Sequence, residues 1–282
     1  MYKRIKKEMN NLPDNTWLTH KYCNRFCGAL VVDGKFVKVR GYLKKIPFVY
    51  GIDYLTHDIP VGVLMPSEST EAFRKLFRLL KTINYPLRVV VCDDVISSLK
   101  PALNYYYPKA RIQLCHTHYL ENIRQKLNTR TLQYHVKFFN SLKENLFEEH
   151  EELKNLSTVL RDFVIGSAKE DIVRQDIIMD IWKRRENLFV YKKIPNCPND
   201  TNLIELFNSH LNARLKSIKG FKSFESANRW LNAYLIRRRT RPFTSCGGKF
   251  AKLNHKCSLE MTIKKQAKWP DICGKSAPKR KQ

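Results

Sequence analysis

No run of apolar residues in the 282-residue chain approaches the ~18 needed to cross a bilayer, which excludes a membrane-spanning helix. The N-terminus, Met1-Tyr2-Lys3-Arg4-Ile5-Lys6-Lys7, is charged and has no apolar segment behind it. That argues against a secretory signal, so the protein is expected inside the cell: in the cytoplasm or nucleoid of a prokaryote, or the nucleus of a eukaryote. Acidic residues are scarce, with 26 Asp and Glu against 52 Lys and Arg. No internal repeat is present. A strong zinc signature is also lacking. The eight cysteines stand at 23, 27, 92, 115, 197, 246, 257 and 273, with Cys23-x3-Cys27 a loose pair and Cys246, His255, Cys257 and Cys273 irregularly spaced. Reduced thiols are the default without a secretory signal.

What is present begins with charge. The net charge is +26 and unevenly placed: +8 over residues 1–50, +2 over 51–213 and +16 over 214–282. A balanced middle between cationic ends fits a polyanionic partner, because neutralising phosphates releases counterions and dominates nucleic-acid affinity. Hydrophobic residues make up 43% and aromatic residues 11%, enough for a sizeable core. The length suits one or two domains.

Gly28–Val32 is apolar and β-rich, Asp33-Gly34 is a hairpin-turn signal, and Lys35–Arg40 alternates as a half-buried strand does. A third strand is expected near Phe48–Ile52 or Val61–Met65. Glu68–Ile83 reads as a helix with Phe73, Leu76, Phe77 and Leu80 on one face and Ser67 as N-cap. Arg88–Cys92 is a short buried strand, Ile96–Tyr106 a helix, Arg111–Leu114 another strand, and Tyr119–Leu127 starts a further helix. This order, β-β-β-α-β-α-β-α, gives an α/β mixed sheet with helices on its faces. Residues 119–195 show only helical patterns, an acidic cluster (Glu144, Glu148, Glu149, Glu151, Glu152) and the basic stretch Trp182-Lys183-Arg184-Arg185. Two more helices follow, Leu203–Leu215 and about Phe224–Arg239. The last ~40 residues read as a tail ending in Lys279-Arg280-Lys281.

Asp33 and Asp93 each end an apolar strand, where functional side chains gather in mixed sheets. If the two strands are neighbours, a close carboxylate pair suits Mg²⁺ or Mn²⁺. Taken alone, Asp33 reads first as a turn former and Asp93 as a helix cap, shared with Asp94. Glu205 lies on the polar face of its helix with Asn208, Ser209 and Asn212, opposite Leu203, Ile204, Phe207, Leu211 and Leu215. Asn202-x-x-Glu205 also fits a capping box. Cys115-His116-Thr117-His118 resembles a metal site but offers at most three of the four ligands a closed zinc site needs.

Several blocks resemble the Mutator-type DDE transposases of bacterial insertion sequences and plant Mutator-like elements. They are Val32-Asp33-Gly34, "GVLMPSES" (62–69), "VVCDD" (90–94) leading into "SSLKPALNYYYPKARIQLCHTHYLENIR" (97–124), and "TNLIELFNSHLNARLKSIKGFKSFESANRWLNAYLIRRRTRPF" (201–243). Together they span about residues 28–243. The resemblance implies a ribonuclease-H-like core with an all-helical insertion between the second and third acids. The corresponding division is a basic segment 1–27, core 28–118, insertion 119–195, last core helices 196–243 and basic tail 244–282. It implies Asp33, Asp93 and Glu205 as catalytic ligands of two Mg²⁺ (or Mn²⁺) ions. Asp93 is chosen over Asp94 because it directly follows the strand; Asp94 stands where the family usually has Gly.

The implied reaction is strand cleavage at element ends, then strand transfer into a target. The competing readings are a catalytically silent transposase-derived DNA-binding protein, and a ribonuclease-H-like nuclease without strand transfer. The implied partner is double-stranded DNA, both element ends and target, bound by a homodimer or higher oligomer, with no membrane. Trp182 reads as a core-packing residue or, as in related transposases, a stacking platform for a flipped base. Lys183, Arg184 and Arg185 would meet phosphates. Arg237, Arg238, Arg239 and Arg241 are expected at the DNA backbone, although cations also suit a helix C-terminus. Cys115 and His118 match the family's Cys-x2-His motif, a landmark beside the active site. The 32 residues before Asp33 are too few for a helix-turn-helix domain and linker, so the family's N-terminal DNA-recognition domain is expected to be missing.

Overall fold

A computed structural model describes residues 8–67, 69–147, 156–166 and 171–272. Along the chain the elements are α1 (Asn15–Tyr22), β1 (Ala29–Val37), β2 (Ile46–Asp53), β3 (Val61–Leu64), α2 (Thr70–Thr82), β4 (Val89–Cys92), α3 (Ile96–Tyr106), β5 (Arg111–Leu114), α4 (His116–Lys126), α5 (Tyr134–Leu146), α6 (Leu156–Gly166), α7 (Ile172–Leu188), α8 (Asn202–Leu215), α9 (Phe224–Thr240) and α10 (Ser258–Thr262). The five strands form one mixed sheet in the order β3-β2-β1-β4-β5. The chain divides into two compact units, one drawn from residues 1–90, 95–110 and 202–282, the other from 91–94 and 111–201.

In the first unit, β1 and β2 pair antiparallel over their whole length, and β3 adds antiparallel to β2. Asp33-Gly34 is not a turn. It lies inside one nine-residue strand, Asp33 opposite Tyr50 and Gly34 opposite Val49. An Asp-Gly hairpin needs left-handed backbone at both turn residues. The left-handed residues of this region are instead Gly28 and Gly41, and the chain reverses between β1 and β2 around Gly41. All eight residues of β2 are buried. Helix α2 buries Ala72, Phe73, Leu76, Phe77 and Leu80, the stripe its 3.6-residue period predicts. Its N-cap position is Ser69, two residues later than the sequence suggested. Glu68 lies outside the described residues.

The two ends of the chain also differ from expectation. Asp14 caps α1 by accepting from the backbone N–H groups of Thr16 and Trp17. Leu18 and Cys23 pack with Ile236, Cys257, Leu259, Ile263 and Ile272 in a buried cluster. Cys23 and Ile263 form an antiparallel bridge. The segment expected as a tail is therefore part of the core through Ile272, because its apolar residues supply what α1 and α9 need to bury. Lys279-Arg280-Lys281, Cys273 and Glu148 to Glu152 lie outside the described residues.

In the second unit, residues 116–201 carry helices and turns and no strand among the described residues. Helix α7 is tied to β5 at its C-terminus. Asn187 donates to the Ile112 carbonyl (3.1 Å), and Gln113 donates to the Leu188 carbonyl (2.8 Å). His116 is buried among Phe147, Phe189 and Tyr191 and bonds through Nε2 to the Leu188 carbonyl at 2.6 Å.

Candidate active site

Asp33 sits at the point of β1 where burial gives way to partial exposure. Cross-strand partners in an antiparallel pair share a face, so Tyr50 stands beside it. Helix α8 packs on β1 and β2 through Ile204, Phe207 and Leu211. That packing also buries Asn208, which sequence phase alone placed on the polar face. Asn208 donates from Nδ2 to Asp33 Oδ2, and Tyr50 donates to Asn208 Oδ1 at 2.9 Å. The Gly34 N–H donates to Asp33 Oδ1 at 2.6 Å. Burial and then the Asp33 charge push the Tyr50 phenol well up, which keeps it a donor. Glu205 lies one turn before Asn208 on the same helix and is exposed. Asn202 is the first residue of that helix.

Asp93 follows β4 and belongs to the second unit. His118 Nδ1 lies 2.8 Å from Asp93 Oδ1 and 3.3 Å from Cys115 Sγ. Thr201 Oγ1 reaches Cys115 Sγ at 3.1 Å and Asp93 Oδ1 at 3.4 Å. Ligand atoms of Asp93, Cys115 and His118 all fall within 4.8 Å of one another. Burial raises the Cys115 thiol's pKa, and the Thr201 hydrogen bond lowers it less, so the protonated form is favoured. The set supplies three donors where a closed zinc site takes four. The adjacent Asp94 is engaged elsewhere: Arg184 donates to it at 2.7 Å and to Asp180 at 3.1 Å. Val95, not Asp93, occupies the N-cap of α3.

Trp182 on α7 remains 38% exposed, so core packing does not account for it. Its ring carries the Arg185 guanidinium 4.1 Å from its centroid. Lys183 is exposed. The arginines at the end of α9 do not act alike. Arg237 and Arg241 are exposed, whereas Arg238 lies over the rings of Phe207 and Phe243 (4.5 and 5.5 Å). Arg239 is fully buried against Asp58, with Nη2 to Oδ2 at 2.7 Å, so it is a core ion pair and not a DNA contact. Helix phase signals this, since Arg239 falls on the stripe of Leu231 and Leu235.

Sequence reasoning did not assign Tyr50, Asn208 or Thr201 to a site. Asn208 had a usable signal, three residues after Glu205 on one helix. Tyr50 had none, because its place depends on strand register.

A family described as "Transposase, Mutator family" matches residues 4–240. The chain belongs to that family. No curated protein gives a significant match. Membership in a transposase family implies DNA as partner and suggests divalent-metal use. In this Mutator-family chain, no helix among the described residues is long and apolar enough to cross a membrane. The donor chemistry of Asp33, Asp93 and Glu205, all carboxylate oxygens, fits a hard ion such as Mg²⁺ or Mn²⁺.

Proposed function

We propose that the protein is a DDE transposase with a ribonuclease-H-like core, which cleaves DNA at element ends and joins them to a target. Asp33, Asp93 and Glu205 are the metal-binding acids in this reading. The observation that carries it is the Tyr50–Asn208–Asp33 chain. It fixes one predicted acid from the very helix that bears another, a turn before Asn208. Asp93 is favoured over Asp94 because Asp94 is already neutralised by Arg184.

Divalent ions held by these carboxylates would lower the barrier by polarising the attacked phosphate and stabilising the leaving oxygen. The chain's own contribution is placement. Asn208 and the Gly34 N–H hold both oxygens of Asp33, so the carboxylate does not rotate. His118 and Thr201 hold Asp93 Oδ1 in the same way. In-line attack by water opens a phosphodiester and frees a 3′-hydroxyl. That hydroxyl attacks a target phosphate in the second step, so no covalent link to the protein is required.

Asp33→Asn is expected to abolish metal-dependent cleavage of DNA while DNA binding survives. Retained cleavage in this variant would sink the assignment. A strand-transfer assay with pre-cleaved ends, Mg²⁺ and a supercoiled target separates the readings. Joined product is expected here, cleavage without joining identifies a plain nuclease, and binding alone a silent DNA-binding protein.

A further inference from the structure

At the far end of α8 the first unit carries a groove of about 450 Å³, lined by Phe36, Lys38, Lys45, Asn212, Lys216 and Lys219 among others. We propose that this groove holds the sugar-phosphate backbone of the DNA strand that runs on from the phosphate to be cut. The inference rests on the catalytic reading above for its direction, but not for its ligand.

Four lysines line the groove, and no carboxylate does. None of the four ammonium groups has a carboxylate or hydrogen-bond partner among the described residues. Elsewhere cations of this chain find acids, as Lys126 does with Asp176 and Arg229 with Glu225. Lysines at a helix C-terminus also answer the helix dipole. That accounts for Lys216 and Lys219, which follow α8, but not for Lys38 and Lys45, which flank the β1–β2 connection. Two separate parts of the chain thus bring unbalanced charge to one concavity.

The groove is also pre-shaped. Phe221 donates its N–H to the Lys38 carbonyl, and Arg40 donates its N–H to the Phe221 carbonyl, both at 2.8 Å. Lys219 adopts left-handed backbone (φ 56°), and Gly220 follows at φ 139°, where a side chain would be strained. The turn that presents Lys216 and Lys219 is therefore locked to the strand extension that presents Lys38.

Position gives the direction of the strand. Asn212 is one turn beyond Asn208, which holds Asp33. From Asn208 to Lys216 the helix climbs ~12 Å, or three to four nucleotides at ~3.4 Å each. Lysines, as point charges, bind phosphate without reading bases, so this contact is independent of sequence.

The test is salt-dependent binding of the full chain to two short labelled DNA duplexes of unrelated sequence, in magnesium-free buffer. A variant combining Lys38→Gln, Lys45→Gln, Lys216→Gln and Lys219→Gln should lower the slope of log affinity against log salt by about 3 to 4, equally on both duplexes. The four Lys→Arg changes should restore it. A matched set of exposed lysines away from the groove, Lys100, Lys109, Lys137 and Lys252, changed to Gln controls for net charge. An unchanged slope in the groove variant, or an equal fall in the control set, overturns the proposal. Asp33→Asn should keep the wild-type slope. If that variant still cleaves, the catalytic reading falls and the groove stands.

Discussion

Asn208 accepts from one side chain and donates to another, so its amide has a single correct orientation. Tyr50 supplies the proton that holds the carbonyl end, leaving the Nδ2 end for Asp33. Asn208→Ala strands both neighbours at once. Losing an outer partner of a metal-binding carboxylate typically costs ~10–100-fold in metal affinity or activity. The expected outcome is a fall of that size in cleavage, with a higher Mg²⁺ concentration at half-maximal rate. Tyr50→Phe should show a milder form of both. A variant that loses thermal stability with an unshifted Mg²⁺ dependence would reduce Asn208 to a packing residue. The short blocks that nominate Asp33, Asp93 and Glu205 were legible in the sequence. Their partners were not, because Tyr50 reaches Asp33's surroundings only through a register formed 17 positions along the chain.

Among elements, α9 shows how position overrides residue type. Its run Arg237-Arg238-Arg239 reads as uniformly basic, yet the helix turns each side chain into a different environment. Arg239 reaches Asp58, Asn15 and Thr19, and Asp58 in turn accepts from Ser258 and Thr262. One buried guanidinium so links α1, the loop before β3, α9 and α10. Removing one partner of a buried pair leaves the other charge uncompensated, at ~3–5 kcal/mol. Arg239→Ala is expected to destabilise the fold by about that much, read by urea unfolding. Arg237→Ala should fall within ~0.5 kcal/mol of wild type, as exposed substitutions do. Similar losses for both would mean that the pair contributes nothing particular. Periodicity revealed several helices to within a residue or two, as for Ile96–Tyr106, but it started the helix at His116 three residues late and missed α1 and α10. It failed at Asp33-Gly34, where a strong turn dipeptide was overruled by β2 pairing across it.

For the molecule as a whole, acid is the informative perturbant. His57 is buried against Phe243 and Phe250, in left-handed backbone. Burial, then the Arg238 charge, lowers its pKa from 6.5 to about 4. The unfolded chain therefore takes up the proton first. Stability is lost as pH falls from about 6.5 to about 4 and is unaffected by this group below that. At ~1.4 kcal/mol per pH unit the loss is about 3 kcal/mol. His57→Asn, which tolerates the left-handed backbone, should flatten this part of the pH–stability curve. An identical curve in both proteins would show that His57 does not couple to folding. The charge distribution along the chain pointed to a polyanion, but it also made the ends look like loose basic tails. What composition did not show is that their few apolar residues meet.

That meeting has a consequence for synthesis. The second unit is nearly continuous in sequence and is complete once residue 201 has emerged. The first unit is not: Asp58 waits for Arg239, and Cys23 for Ile263. A vectorially made chain must carry β1 to β3 unfinished until Arg239 and Ile263 have left the ribosome, and over that interval it is prone to aggregate.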